Sequence, residues 1–186
     1  MTDASSSPAN AVRDATAADA TSVASIQLTC WRNDFDWPEE VFAALSAADP
    51  EMQWARAVIA PPGPGHRLVV ATHGTDVVGY GALAPSSDPD AQTGELEIVG
   101  WEVTPEHRRH GHGSRLLAAV ADHARVVSGR TLTIWIPAHD EVRRRVLTEA
   151  GFGPDGAFRT VALDAGGPET EDVISEVRQV RLIAEL

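Results

Sequence analysis

The 186-residue chain contains no lysine, and all 15 of its basic residues are arginines. That excludes lysine Schiff-base chemistry and the phosphate-binding loop that ends in a lysine, both of which need the ammonium. Cysteine is nearly as scarce. Cys30 stands alone, so no internal disulfide can form, and a reducing compartment, the cytoplasm by default, is the expected setting. No apolar stretch approaches the ~18–20 residues that span a bilayer. Residues 1–10 lack the basic start and apolar run of a secretory signal, and no membrane association is expected. Tyrosine occurs once, at Tyr80, which leaves a single phenol for any proton-donating role.

What is present is a globular composition. Hydrophobic residues make up 43% of the chain, enough for a packed core, and the length suits one compact domain. Residues 1–10 are small, polar and without periodicity, and are expected to form a disordered tail ahead of one domain over 11–186. The net charge is −12, but it is unevenly spread. Residues 1–103 carry 4 Arg against 15 acids, whereas residues 104–145 carry 8 Arg against 4. So acidic a chain repels nucleic acid. Its two parts suit an anion near the arginines and a cation near the acids, although a solvated acidic surface accounts for the same numbers.

The pattern alternates strands and helices. A strand at 11–14 precedes a helix opened by Thr16 and Asp19 at capping-box spacing, with Val23, Ile26 and Cys30 on one face. Helical sequence from Pro38 is interrupted at Asp49-Pro50 and ends in the Pro-Gly run at 61–65. Residues 67–73 and 77–83 flank Gly74-Thr75-Asp76 as a hairpin. A strand over 95–103 stops at Pro105. A helix follows Gly113, with Leu116, Val120, Ala124 and Val127 on one stripe. A strand at 131–136, a helix over 140–150 closed by Gly151, and strands at 157–163 and 173–183 complete a mixed α/β order.

The most informative stretch is Val103-Thr-Pro-Glu-His-Arg108-Arg109-His-Gly111-His112-Gly113-Ser114-Arg115-Leu116-Leu117. A strand ends in a glycine-rich turn that opens a helix, so backbone N–H groups and the positive end of the helix dipole face one point. The surrounding arginines suit a pyrophosphate. A third glycine and first-strand placement are missing, which argues against a dinucleotide fold. His107, His110 and His112 are close enough to suggest a metal site, but the phosphate turn claims their backbone, and no metal is expected.

Arg108-x-x-Gly111-x-Gly113 resembles the Arg/Gln-x-x-Gly-x-Gly/Ala signature of the GNAT superfamily of acyl-CoA N-acyltransferases. Trp135, Asp140, Ala150-Gly151-Phe152 and Asp155-Gly156 look like that family's second half. The resemblance implies a central mixed, mostly antiparallel sheet, splayed between the fourth and fifth strands and flanked by helices, with acetyl-CoA in the opening. It implies that the turn from Arg108 and Arg109 through Gly111, His112, Gly113 and Ser114 to Arg115 holds the pyrophosphate, and that the backbone at Trp101–Val103 pairs with the pantetheine arm. Glu97 or Glu95 would take the proton of an attacking amine; their spacing puts both on one face of a regular strand, unless a bulge intervenes. Relatives carry a tyrosine in the helix before the Gly-Phe turn, where Leu147 stands here. The thiolate would then leave unaided, or water, Tyr80 or His139 would protonate it. Trp31, Asp34 and Phe35, with Asp36 and Trp37, would border the acceptor as a patch of rings and carboxylates. The expected activity is acetyl transfer to a primary amine of a small cation or peptide in a ternary complex. A degenerate acyl-CoA-binding module is the alternative, and relatives often form homodimers.

Overall fold

The computed structural model describes residues 10–163 and 175–186. The expected tail up to residue 9, the loop joining the last two strands, and the first residues of the last strand, Val173 and Ile174, lie outside the described residues. The elements are β1 (Asn10–Asp14), α1 (Ala20–Asp34), α2 (Glu39–Ala47), α3 (Pro50–Ile59), β2 (Arg67–His73), β3 (Asp76–Pro85), β4 (Glu95–Val103), α4 (His112–Val126), β5 (Thr131–Pro137), α5 (Glu141–Glu149), β6 (Gly153–Leu163) and β7 (Ser175–Glu185). One seven-stranded sheet runs in the order β1-β2-β3-β4-β5-β7-β6. Every neighbouring pair is antiparallel except β4 and β5, which are parallel.

Apolar patterning explains the layers. In β2 the five residues Leu68–Thr72 are all buried, as expected of a strand covered on both faces. Val69 and Ala71 join Leu116, Leu117, Val120 and Ala124 of α4 in the larger core. Leu68 and Val70 point the other way, to Val23, Ile26 and Cys30 of α1. Both predicted helical stripes are therefore the buried ones. One boundary follows expectation and one departs from it. The helical region after Pro38 divides into α2 and α3 at Asp49, whose left-handed backbone (φ 53°) and side chain, bonded to the Met52 amide at 3.1 Å, cap α3. β6 begins at Gly153, four residues early, because a register shift between Pro154 and Phe158 absorbs the Asp155-Gly156 turn within the pairing.

β4 carries the irregularity that shapes the site. Leu83 pairs with Ile98 and Ala82 with Gly100, so Val99 is an extra, exposed residue: a β-bulge. Parallel pairing with β5 runs from Glu95–Thr131 to Ile98–Ile134 and stops there. Beyond Ile98 the two strands part.

Candidate active site

Between the separated ends of β4 and β5 lies a cleft of about 990 Å³. Trp101, Glu102 and Val103 line one wall, the turn from Arg108 to Ser114 lines the top, and α5 lines the other wall. Gly111 has the left-handed backbone (φ 78°) that closes the turn, and Arg109 shares that region at φ 68°. Helical bonding starts with Arg115 N–H to Gly111 O at 3.2 Å, so the amides of His112, Gly113 and Ser114 precede the first intrahelical donor. Trp101 seats this turn on the sheet: its indole N–H donates to Gly113 O at 2.9 Å. These free amides and the flanking Arg109 and Arg115 form a fitting cradle for a phosphate. The side chain of His112 points inward, almost wholly buried beside His73 and His107, and neither ring nitrogen has a partner among the described residues. Burial, followed by the nearby His73, holds its pKa below the ordinary value, so the ring is neutral near pH 7. Among the described residues no group of three or more His, Cys, Asp or Glu is placed to hold a metal ion.

Arg108 corrects a sequence expectation. Its Nε–H donates to Val103 O at 3.0 Å, and both terminal nitrogens grip Asp34 at 2.8 and 2.9 Å. Its guanidinium is therefore turned toward α1, which leaves Arg109, Arg115 and the amides as the groups that could hold a phosphate. Asp34 is corrected with it. The carboxylate expected to meet an acceptor cation also takes Arg143 at 2.9 Å. Arg143 in turn reaches Glu102 at 2.7 Å and Asp140 at 2.9 Å. Glu102 is buried, and desolvation raises its pKa despite Arg143. Sequence reading missed Glu102 and Arg143. Arg143-Arg144-Arg145 looks like a solvated run, and the one available signal is that Arg143 lies four residues before the buried Leu147, on the same helical face.

Tyr80 is the third correction. It is 1% exposed, packs edge-on against Trp54, and lies so close to Gly100 that a Cβ there would meet its ring at 2.7 Å. It does not line the cleft, and burial pushes its pKa well up, so it is no proton donor to a thiolate. Leu147 is likewise sealed in the core, while His139 does line the cleft. Trp31 and Phe35 flank Trp37, one edge-on at 5.8 Å and the other stacked at 4.3 Å, forming an aromatic knot at the end of α1.

Glu95 and Glu97 sit on the paired stretch of β4, ahead of the bulge, and so share a face; neither is among the residues that line the cleft, which opens beyond Ile98. Glu97 lies between Ala84 and Thr133, 7% exposed, with no hydrogen-bond partner among the described residues. Desolvation and then the nearby Asp88 raise its pKa from the ordinary value, against the pull of Arg159 and Arg181. Beside it Arg181 binds Asp88, Asp90 and Asp155 at 3.0, 2.6 and 2.7 Å, and the Trp135 indole donates to Asp88 at 2.9 Å.

This geometry matches known proteins. Mycothiol acetyltransferase of Stackebrandtia nassauensis is 35% identical over 95 residues, covering 45% of this chain and 29% of that protein. The chain thus aligns with under a third of that relative's length. Two solved structures share the fold. yncA from Salmonella typhimurium, solved with its cofactor acetyl-CoA, superposes with a TM-score of 0.72 at 19% identity, covering 96% of this chain and 94% of that one. The paia N-acetyltransferase of Thermoplasma acidophilum, in complex with coenzyme A, gives a TM-score of 0.68 at 11% identity, covering 96% and 99%. The model of the Acetyltransferase (GNAT) family matches residues 21–152, and the chain belongs to that family.

Proposed function

We propose that the protein transfers an acetyl group from acetyl-CoA to a primary amine by direct attack, with Glu97 as the base. One observation carries this: a nearly buried carboxylate without a hydrogen-bond partner, its pKa raised, lies one residue before the point where β4 and β5 part. The amides of His112, Gly113 and Ser114 hold the pyrophosphate, and the pantetheine arm runs along the unpaired edge of β4 toward Ile98. That course brings the thioester to Glu97. The amine nitrogen attacks the carbonyl carbon, a C–N bond replaces the C–S bond, the electron pair leaves on sulfur, and the amine proton passes to Glu97.

Magnitudes show why the base matters. Presenting a lysine-like amine in neutral form at pH 7 costs about 4.6 kcal/mol, at ~1.36 per pKa unit. A buried base whose pKa is raised toward the working pH relieves part of that deficit. The thiolate needs less help, since a thiol pKa near ~8.5 leaves only about 2 kcal/mol at pH 7, so the seclusion of Leu147 and Tyr80 is compatible with turnover. That same seclusion supports the second reading, an acyl-CoA-binding module without catalysis.

The test is thiol release from acetyl-CoA on adding amines, beside calorimetric titration with CoA. We expect micromolar CoA binding, and for Glu97→Gln a loss in kcat of about 100-fold or more with CoA affinity within about threefold. Full activity in Glu97→Gln would refute the assignment of the base. CoA binding without thiol release for any amine would favour the binding module.

A further inference from the structure

Glu97 is not alone in lacking a partner. Glu95, two residues earlier on the same face, is half-buried; among the described residues its Oε1 is shielded from solvent with no hydrogen-bond partner, and its Oε2 takes only a long 3.4 Å contact from the Gln92 amide. A buried carboxylate without a cation is costly, by several kcal/mol when fully desolvated. Here the charge of Glu95 also adds to the upward push on the Glu97 pKa. The acids around them are in a different condition. Asp88 is already bonded to Arg181 and Trp135, Asp155 to Arg181 and the Ala157 amide, and Asp90 to Arg181. Five carboxylates face two guanidiniums, Arg159 and Arg181, and those guanidiniums are directed at the aspartates and at Gln179. The unmatched negative charge therefore resides on Glu95 and Glu97. Because the bulge falls at Val99, beyond both, the pleat between them is regular, and their Cα atoms are about 6.6 Å apart at ~3.3 Å per residue.

We propose that the acceptor is a diamine or polyamine with two nitrogens about four carbons apart. The reacting nitrogen sits at Glu97 and the second, still an ammonium, on Glu95. An extended four-carbon chain separates its nitrogens by about 6 Å at ordinary bond lengths, close to the separation of the two glutamates. This assignment rests on the reading of Glu97 as the base and names the substrate class for it. The second ammonium offsets the charge on Glu95, orients the chain, and remains protonated, so only the nitrogen at Glu97 is acylated.

The test is steady-state kinetics at saturating acetyl-CoA with the diamines from 1,2-diaminoethane to 1,6-diaminohexane, and 1-aminobutane as the single-amine reference. The expected wild-type result is a kcat/KM maximum at or next to four carbons, at least tenfold above 1-aminobutane. Glu95→Gln should lower that diamine-to-monoamine ratio about tenfold, and Glu95→Asp should retain most of it. A wild-type ratio near one, or equal losses for both amines in Glu95→Gln, would overturn the inference and leave the base assignment standing. Turnover of an amino sugar but of no diamine would do the same. Intact CoA binding with no turnover of any amine would remove the parent reading and this inference together.

Discussion

At Glu97 function and stability pull against each other. Its folded pKa is raised above the unfolded value, so the folded state holds a proton that the unfolded chain has already lost, and stability declines as pH rises through the folded pKa. Glu97→Gln removes that penalty. We expect the variant to melt higher than wild type at pH 7–8 by roughly 2–4 °C, about 1 kcal/mol at this size, with the gap closing toward pH 4; scanning calorimetry across pH measures it. An equal or lower melting temperature at pH 8 would mean that the carboxylate has a stabilising partner. Cys30 of α1 is the opposite case, a buried titratable group assigned no part in the chemistry. Burial, then the charge of Glu102, pushes its thiol up to about 12, and its Sγ–H donates to Val103 O at 3.4 Å, so it acts as core packing. The two illustrate why burial alone does not mark a functional residue: Cys30 has a hydrogen-bond partner, and Glu97 has none among the described residues.

Elements were legible in the sequence to different depths. The bounds of β4 were read correctly because Gly94 and Pro105 punctuate an apolar run, and the α4 stripe because its period is helical. The capping box was legible too. The Thr16 amide donates to the Asp19 carboxylate at 2.7 Å, and Arg13 grips the same group bidentately. That pairing, chiefly the Arg13 hydrogen bond, holds the Asp19 pKa well below the usual carboxylate range against burial. A depressed pKa stabilises above the unfolded value of ~3.9 and is lost as pH falls below it. Asp19→Asn should therefore cost about 1 kcal/mol at pH 7, the usual worth of such a cap, and the deficit should shrink below pH 4 in urea titrations. What sequence could not reveal was long-range. The Asp34–Arg108 and Arg143–Glu102 pairs join residues 74 and 41 positions apart, and no local pattern encodes them. Tyr80 was misread for a related reason: in a sheet covered on both faces, alternation does not say which side opens to solvent. The bulge at Val99 adjoins Gly100, and a glycine inside a strand run is a bulge signal that the reading of β4 left unused.

Over the whole molecule, charge is sorted by ligand. Arg109, Arg115 and the α4 amides crown one end of the cleft, and the carboxylate-rich face around Glu97 lies on the far side of the bulge. No helix among the described residues is long and apolar enough to cross a membrane. Between these poles Asp34 joins α1 to the turn before α4 through Arg108, and to α5 through Arg143. Without that node, α5 would hang from β5 and β6 across an open gap. With it, the width of the slot is set before any ligand arrives, and a long flexible ligand is met by walls that need not be reorganised. The segments at 32–35 and 139–146 should then breathe as one unit. Arg143→Ala would uncouple them, and amide hydrogen exchange in the ligand-free protein would speed up at both segments together while β2 and β3 keep their protection.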